Sequence, residues 1–229
     1  MVPIGISFLS INFITMQQPN SIQIASLLLE NKILELSPSV PFTFASGIKS
    51  PIYCDGRIIM SIPDLRKTIA YNLAQTIKQT YPDVQIICGV ATGSIAISAW
   101  VAEILNLPLI YYRKPKGYGH NNTVEGKFES NQKVVVVEDV VSTGGSCLTA
   151  VESVRATGLE VLGVAFIYSH GMIKSIENFE ANNCKYVSLC GLEDALESAN
   201  KSGILTTEQV ETVKDWKADP INWTSKNGF

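Results

Sequence analysis

Lys133-Val-Val-Val-Val-Glu138-Asp139-Val140-Val141-Ser142-Thr143-Gly144-Gly145-Ser146 is the stretch that decides how this 229-residue chain is read. Four consecutive valines form a continuous apolar run, the pattern of a strand covered on both faces. A buried strand is therefore expected over Lys133–Val137, ending at two adjacent carboxylates, Glu138 and Asp139. A loop of small residues then opens a helix expected over Gly144–Thr157. In open α/β sheets, ligands bind in the crevice outside the carboxyl ends of the strands. Backbone N–H groups, the hydroxyls of Ser142, Thr143 and Ser146, and a helix N-terminus would together suit a phosphate dianion there. Gly144 and Gly145 permit close backbone approach and positive φ. The two acids cannot serve the same anion; they suit vicinal hydroxyls, a metal-hydrated sugar or a developing positive charge. A phosphate cradle beside acids that prefer a sugar describes a ribose phosphate. An ordinary strand–turn–helix junction capped by Ser142 or Thr143 would account for the loop, but it does not need all these features together. The stretch is neither a Walker A loop, since the lysine is absent, nor a G-x-G-x-x-G fingerprint.

Outward from this stretch, short apolar runs alternate with helical segments. Strands are expected over Val84–Val90, Leu107–Tyr112, Leu159–Tyr168 and Cys184–Leu189, and helices over Ser94–Leu105, Leu192–Asn200 and Thr206–Trp216. Such alternation implies an α/β fold with a mostly parallel central sheet flanked by helices and right-handed crossovers. Nearer the N-terminus, Ile22, Ile24, Ala25, Leu28, Leu29, Ile33 and Leu36 mostly keep helical spacing, which predicts a helix over Asn20–Leu36 opened by Asn20 or Ser21. Pro41–Arg57 reads as hairpin-like, with Gly47 and Gly56 as turn residues, and Pro63–Thr80 as a helix entered through proline. The expected plan is one domain over 20–229, with 20–60 forming most of a small N-terminal hood. Residues 1–19 are expected to be a poorly ordered extension, or to reflect an upstream start with Met16 as the physiological first residue. Their apolar part, Met1–Thr15, lacks the basic n-region of a secretory signal and is too short to span a bilayer as a helix. The tail from Asp219 to Phe229 has no readable pattern beyond Trp223 and Phe229.

Bulk properties narrow the function class. With 46% apolar and 17% charged residues the chain is globular with a large core, and a net charge of −3 provides no global field for nucleic acid or an anionic membrane. Five cysteines without C-x-x-C spacing and two histidines suggest neither a disulfide framework nor a zinc site, and fit a reducing cytoplasm.

The Lys133–Ser146 stretch closely resembles the PRPP signature of type I phosphoribosyltransferases. The resemblance implies that Glu138 and Asp139 hold the ribose hydroxyls while Val140, Val141, Ser142, Thr143, Gly144, Gly145 and Ser146 form the loop on the 5-phosphate. Glu138 stands where the first acid is more usually aspartate, and keeps the charge. Phe42–Arg57, with Ser46-Gly47-Ile48-Lys49-Ser50-Pro51-Ile52-Tyr53-Cys54 at its centre, resembles the hood of orotate phosphoribosyltransferases. On its own it would be a hairpin with a solvated lysine. The resemblance implies Lys49, Tyr53 and Cys54 at orotate, joined by Ser142 and His170.

Arg113-Lys114-Pro115-Lys116-Gly117-Tyr118-Gly119-His120 is a cationic, glycine-bearing loop in an acidic chain. As a charge run alone it would be a solvated surface; as a closing loop it would exclude water and neutralise a leaving group. It resembles the family's mobile catalytic loop, which reaches into the neighbouring subunit's site and so implies a homodimer with shared active sites. Arg113, Lys114, Lys116 and Tyr118 would then meet the diphosphate, with Lys116 most important to the rate. The implied catalytic set is Lys116, Arg113, Asp139 and Glu138. Cys88–Ser94 matches the family's pyrophosphate loop, bringing in Thr92 and Gly93. Mg²⁺ is implied as a cofactor carried on PRPP oxygens and water, without a protein metal site.

The resemblance spans roughly Asn20–Tyr168 and has departures. Ala45 and Gly93 stand where some members carry diphosphate-binding lysines, Tyr118 where a loop histidine is common, with His120 two residues later, and His170 near an orotate-binding arginine of some members. Another enzyme of the superfamily would transfer a different base, but its hood is not expected to carry Ser-Gly-x-Lys-Ser-Pro. A PRPP-sensing regulator would need a DNA-binding module, and the segment before the hood is too short and too poor in Lys and Arg for one. No room remains for a decarboxylase domain.

Overall fold

In the computed structural model, residues 19–43, 49–115 and 122–228 are described. Helix α1 (Ser21–Glu30) opens with a capping box, in which the Asn20 side chain accepts from the Gln23 N–H and the Gln23 side chain from the Asn20 N–H, both at 2.9 Å. It ends six residues before the boundary expected from periodicity (Leu36 against Glu30). Lys32 takes a left-handed φ of 54°, and the Ile33 N–H folds back to donate to the Leu28 carbonyl at 2.9 Å. Ile33 is therefore buried from a turn, and Leu36 is half-buried from strand β1 (Leu34–Leu36). Spacing of four and then three residues cannot distinguish these two outcomes.

Strands β2 (Phe42–Thr43) and β3 (Lys49–Ser50) pair as a two-stranded ribbon, and β4 (Ile52–Cys54) pairs antiparallel with β1. Gly47 lies outside the described residues, while Gly56 opens a 3-10 helix over Gly56–Ser61. Helix α2 (Pro63–Thr80) has the expected bounds, with proline in its first turn.

The central sheet contains β5 (Ile86–Val90), β6 (Leu109–Tyr112), β7 (Val124–Glu125), β8 (Lys133–Val141), β9 (Glu160–Ser169) and β10 (Tyr186–Gly191), in the order β10-β9-β8-β5-β6-β7. All neighbours are parallel except the edge pair β6–β7. Along β8, Val134 and Val136 join one apolar cluster and Val135 and Val137 the other, all fully buried. The continuous apolar run thus covers both faces, as read. Helices α3 (Ile95–Leu105), α4 (Gly145–Arg155), α5 (Ile173–Ala181), α6 (Leu192–Lys201), α7 (Thr207–Ala218) and α8 (Pro220–Lys226) complete the layers. Of these, α5 and α8 have no counterpart in the sequence reading. Trp223 on α8 is 1% exposed, and its indole N–H donates to the Thr212 carbonyl at 3.0 Å.

One correction bears on the chemistry. Strand β8 does not end at the acids but continues to Val141, so Glu138 and Asp139 lie within it. Its pairing with β5 stops at Gly89↔Val137, whereas its pairing with β9 continues to Val141↔Ser169. The chain runs from β5 outward to β6 and returns on β5's other side as β8, so the order reverses between β5 and β8. Beyond the end of β5, the free flank of β8 forms one wall of the crevice that such a reversal creates.

Candidate active site

Asp139 sits in that crevice. A Cβ built on Gly93, just past β5, would come within 2.9 Å of the Asp139 carboxylate, and one built on Gly56 would come within 2.7 Å of it. Two glycines from distant segments therefore make space for one acid. The Val140 N–H donates to Asp139 Oδ1 at 2.8 Å and fixes the carboxylate's orientation. Glu138 faces inward and is 7% exposed, while its Oε1 accepts from the Asp139 N–H at 3.1 Å. Burial, then the adjacent Asp139 charge, pushes the Glu138 carboxyl up to about 9. Glu138 thus holds its proton near pH 7, against the expectation from sequence that it keeps the charge. The buried Ser94 hydroxyl lies 2.8 Å from the Val137 carbonyl and accepts from the Val90 N–H at 2.7 Å, tying the ends of β5 and β8 together.

The loop after β8 leaves most of its polar groups open, while the Ser142 hydroxyl lies 3.6 Å from Met172 Sδ. Ser142, Thr143, Gly145 and Ser146 are exposed, and no side chain caps the N-terminus of α4, which keeps its first N–H groups available. Gly144 has a φ of 79°, and a Cβ there would meet the Phe179 ring at 2.9 Å, so glycine is required. Around Gly145 there is open space. The Asn178 side chain supports the loop by donating to the Thr143 carbonyl at 2.8 Å. Val140 is half-buried and Val141 buried; their side chains belong to the walls. At the opposite lip, Thr92 is exposed and Gly93 half-buried, and the Ala91–Thr92 peptide is cis.

Lys116, Tyr118 and His120 lie outside the described residues. The base of their loop is closed by the Arg113 N–H donating to the Thr123 carbonyl at 2.8 Å. Arg113 is already engaged: Nε and Nη2 both donate to Glu125 Oε1, at 2.8 and 2.6 Å. Lys114 is exposed.

On the hood side, Lys49 Nζ donates to Thr43 Oγ1 at 2.9 Å. Tyr53 and Cys54 were read as facing the same ligand, but consecutive strand residues point to opposite faces. Tyr53 is 38% exposed and packs its ring 5.6 Å from that of Phe42. Cys54 turns inward, where burial and then the Asp139 charge hold its thiol well above the usual range. Only Cys54 is therefore on the Asp139 side.

His170 is 5% exposed, its ring 5.2 Å from Tyr168 and 6.1 Å from Trp216. Burial lowers its pKa to about 4, and neither its Nδ1 nor the Tyr168 hydroxyl has a partner among the described residues. Its N–H donates to the Val141 carbonyl at 3.0 Å, so it stands behind the Ser142 loop rather than in open space.

Sequence reasoning placed Ser94 in the Cys88–Ser94 loop without its tie to β8, and gave no site role to Gly56, Glu125 or Trp216; Gly56 and Trp216 depend on contacts between distant segments. A groove of about 770 Å³ lined by Tyr81, Phe179 and Tyr186 lies at the amino ends of the strands, away from the acids and the loop. Among the described residues no three His, Cys, Asp or Glu side chains converge to hold a metal ion, and no helix is long and apolar enough to cross a membrane.

Comparison with known proteins agrees with this geometry. The family described as phosphoribosyl transferase domain matches residues 58–188. The orotate phosphoribosyltransferase of Listeria monocytogenes serotype 4b is 46% identical over 202 residues, covering 88% of this chain and 97% of that protein. Among solved structures, orotate phosphoribosyltransferase from Aeropyrum pernix superposes with a TM-score of 0.68 at 27% identity, covering 80% of this chain and 99% of that one. The Mycobacterium tuberculosis orotate phosphoribosyltransferase in complex with PRPP superposes with a TM-score of 0.61 at 26% identity, covering 77% and 99%.

Proposed function

The chain belongs to the orotate phosphoribosyltransferases, and from that membership we propose that it joins orotate to the ribose 5-phosphate of PRPP, giving orotidine 5′-monophosphate and pyrophosphate in pyrimidine biosynthesis. The observation that carries the reading is the crevice at the β5–β8 reversal, where Asp139 stands between Gly56 and Gly93 beside an uncapped α4 N-terminus. In this reading the N–H groups of α4 and the hydroxyls of Ser142, Thr143 and Ser146 hold the 5-phosphate. Asp139, with Glu138 behind it, orients the ribose hydroxyls and lies beside the positive charge that develops on the ring. Thr92 and Gly93 line the diphosphate side. Arg113, Lys114 and Lys116 neutralise the departing pyrophosphate; Arg113 must exchange Glu125 for it as the loop closes. The C1–O bond to pyrophosphate breaks, a bond from the orotate ring nitrogen to C1 forms, and the nitrogen gives up its proton. No covalent intermediate with the protein is needed; positioning and electrostatics supply the rate.

Mg²⁺ would be brought in on PRPP oxygens and water, the coordination this ion favours over an all-protein cage. When bound, it neutralises diphosphate charge. We place Lys49 and Cys54 at orotate, with Ser142 at its edge; Tyr53 contributes through backbone, and His170 supports Ser142 from behind. The working unit is a homodimer with shared active sites. Free thiols at all five cysteines support a reducing, cytoplasmic setting. The single-domain plan with a hood over 20–60 fits the β1–β4 and β2–β3 sheets, which stand apart from the central sheet. The test is the loss of orotate's ultraviolet absorbance: it should require both PRPP and Mg²⁺, and no loss with both present would refute the assignment.

A further inference from the structure

The hood ribbon needs support from the rest of the molecule. Among the described residues, strands β2 and β3 pair with each other and with neither the β1–β4 pair nor the central sheet. An isolated two-stranded ribbon is marginally stable at best in water. Yet it carries Lys49, which the proposed function places at orotate. Beside the Phe42–Tyr53 ring contact, one attachment comes from the far end of the chain. Trp216, near the end of α7, is 1% exposed, and its indole N–H donates to the Lys49 carbonyl at 3.1 Å across 167 positions of sequence. The same ring packs 6.1 Å from His170, the residue that follows β9 and whose backbone N–H donates to the Val141 carbonyl behind the phosphate loop. One indole thus bridges the orotate side and the wall of the phosphate side.

We propose that Trp216 is a positioning residue for orotate: its N–H fixes β3 against the carboxyl end of β9 and so sets where Lys49 stands. Trp216 touches no substrate in this account, and the inference rests on the placement of Lys49 at orotate. A buried neutral hydrogen bond of this kind has a net value near 1 kcal/mol, which is about fivefold in an equilibrium constant.

The test replaces the donor and keeps the ring. Trp216→Phe should raise the KM for orotate about fivefold, with kcat and the KM for PRPP changed less than about twofold. Tyr81→Phe is the matched control, because Tyr81 also buries its ring and donates to a carbonyl, but that carbonyl is Val164, reached from the end of α2 at the amino ends of the strands. It should leave the KM for orotate at the wild-type value. If Trp216→Phe fails to fold, benzothienylalanine at position 216, which substitutes sulfur for the N–H at almost the same shape, makes the same comparison. An unchanged KM for orotate, an equal rise in the KM for PRPP, or the same effect from Tyr81→Phe would overturn the proposal. Lys49→Ala separates this from the reading beneath it. If that variant keeps the wild-type KM for orotate while Trp216→Phe raises it, the ribbon backbone is what Trp216 positions, and the Lys49 side chain has no role at orotate. If Lys49→Ala raises it and Trp216→Phe does not, Lys49 stands and the clasp is wrong.

Discussion

Glu138 and His170 show how burial sets chemistry at single residues, and they do so with opposite signs. Glu138 is pushed up to about 9, chiefly by desolvation. Its folded form therefore holds a proton that the unfolded chain releases near the ordinary carboxylate range. The stability it contributes is full at low pH and is lost as pH rises toward 9. His170 is lowered to about 4, again by burial; its contribution is present above the ordinary histidine range and is lost as pH falls toward 4. Between about pH 4.5 and 6.5 the two slopes, each up to about 1.4 kcal/mol per pH unit, oppose one another. A wild-type pH profile in that window should look flat. Urea melts of two variants separate the effects: Glu138→Gln should gain on wild type as pH rises from 5 to 9, and His170→Phe should gain as pH falls from 6.5 to 4. Parallel profiles for wild type and both variants would show that neither group titrates as described. The sequence made the adjacent acids visible as a pair, because Glu138 and Asp139 follow an apolar run. It could not show which of them is buried, because that depends on Ser94 and on the packing around the β5–β8 junction. Nor could it show that Gly56 makes room for Asp139, two residues 83 positions apart.

At the level of elements, the turn into α4 argues for unequal roles of two adjacent glycines. Gly144 occupies the left-handed region and abuts Phe179, whereas Gly145 faces open space. Gly144→Ala should cost about 1–3 kcal/mol in a urea melt, from backbone strain and the displaced ring. Gly145→Ala should leave stability within about 0.5 kcal/mol of wild type or raise it slightly, since alanine is the better helix former. Equal losses from both would contradict the loop geometry. The element boundaries show what periodicity can resolve. Helix α2 was legible at both ends because Pro63 marks its start and its apolar face repeats without interruption. Helix α1 was overrun because the turn at Asn31 and Lys32 carries neither glycine nor proline. Strand β8 was cut short because acids are poor strand residues by composition, although here Glu138 pairs with Phe166 of β9 and the pairing resumes at Val140. Helix α5 around Phe179 has a clear apolar face that the sequence reading left unassigned, whereas α8 has only seven residues and only Trp223 hinted that the tail packs.

For the molecule as a whole, the mostly parallel sheet was the most legible feature, since apolar runs alternate with helices; the order of its strands was not read from the sequence. The proposed homodimer leaves a weaker trace in the sequence, the basic stretch Arg113–His120. If that loop completes the neighbour's site, Lys116→Ala alone should lose most turnover, as should Asp139→Asn. Mixing the two inactive proteins under conditions that exchange subunits should restore about a quarter of wild-type turnover, because half the dimers become hybrids with one intact site each. No restoration would place each loop over its own site. The account's central claim is narrower: this crevice, with this hood, selects orotate. The most direct measurement is the purified protein's kcat/KM with PRPP and Mg²⁺ for orotate against uracil, adenine and hypoxanthine. The account predicts orotate turnover at least about a thousandfold above any rival, the range reached when a site's polar groups are built for one partner. Efficient transfer to any of the other three bases, or none to orotate, would contradict it.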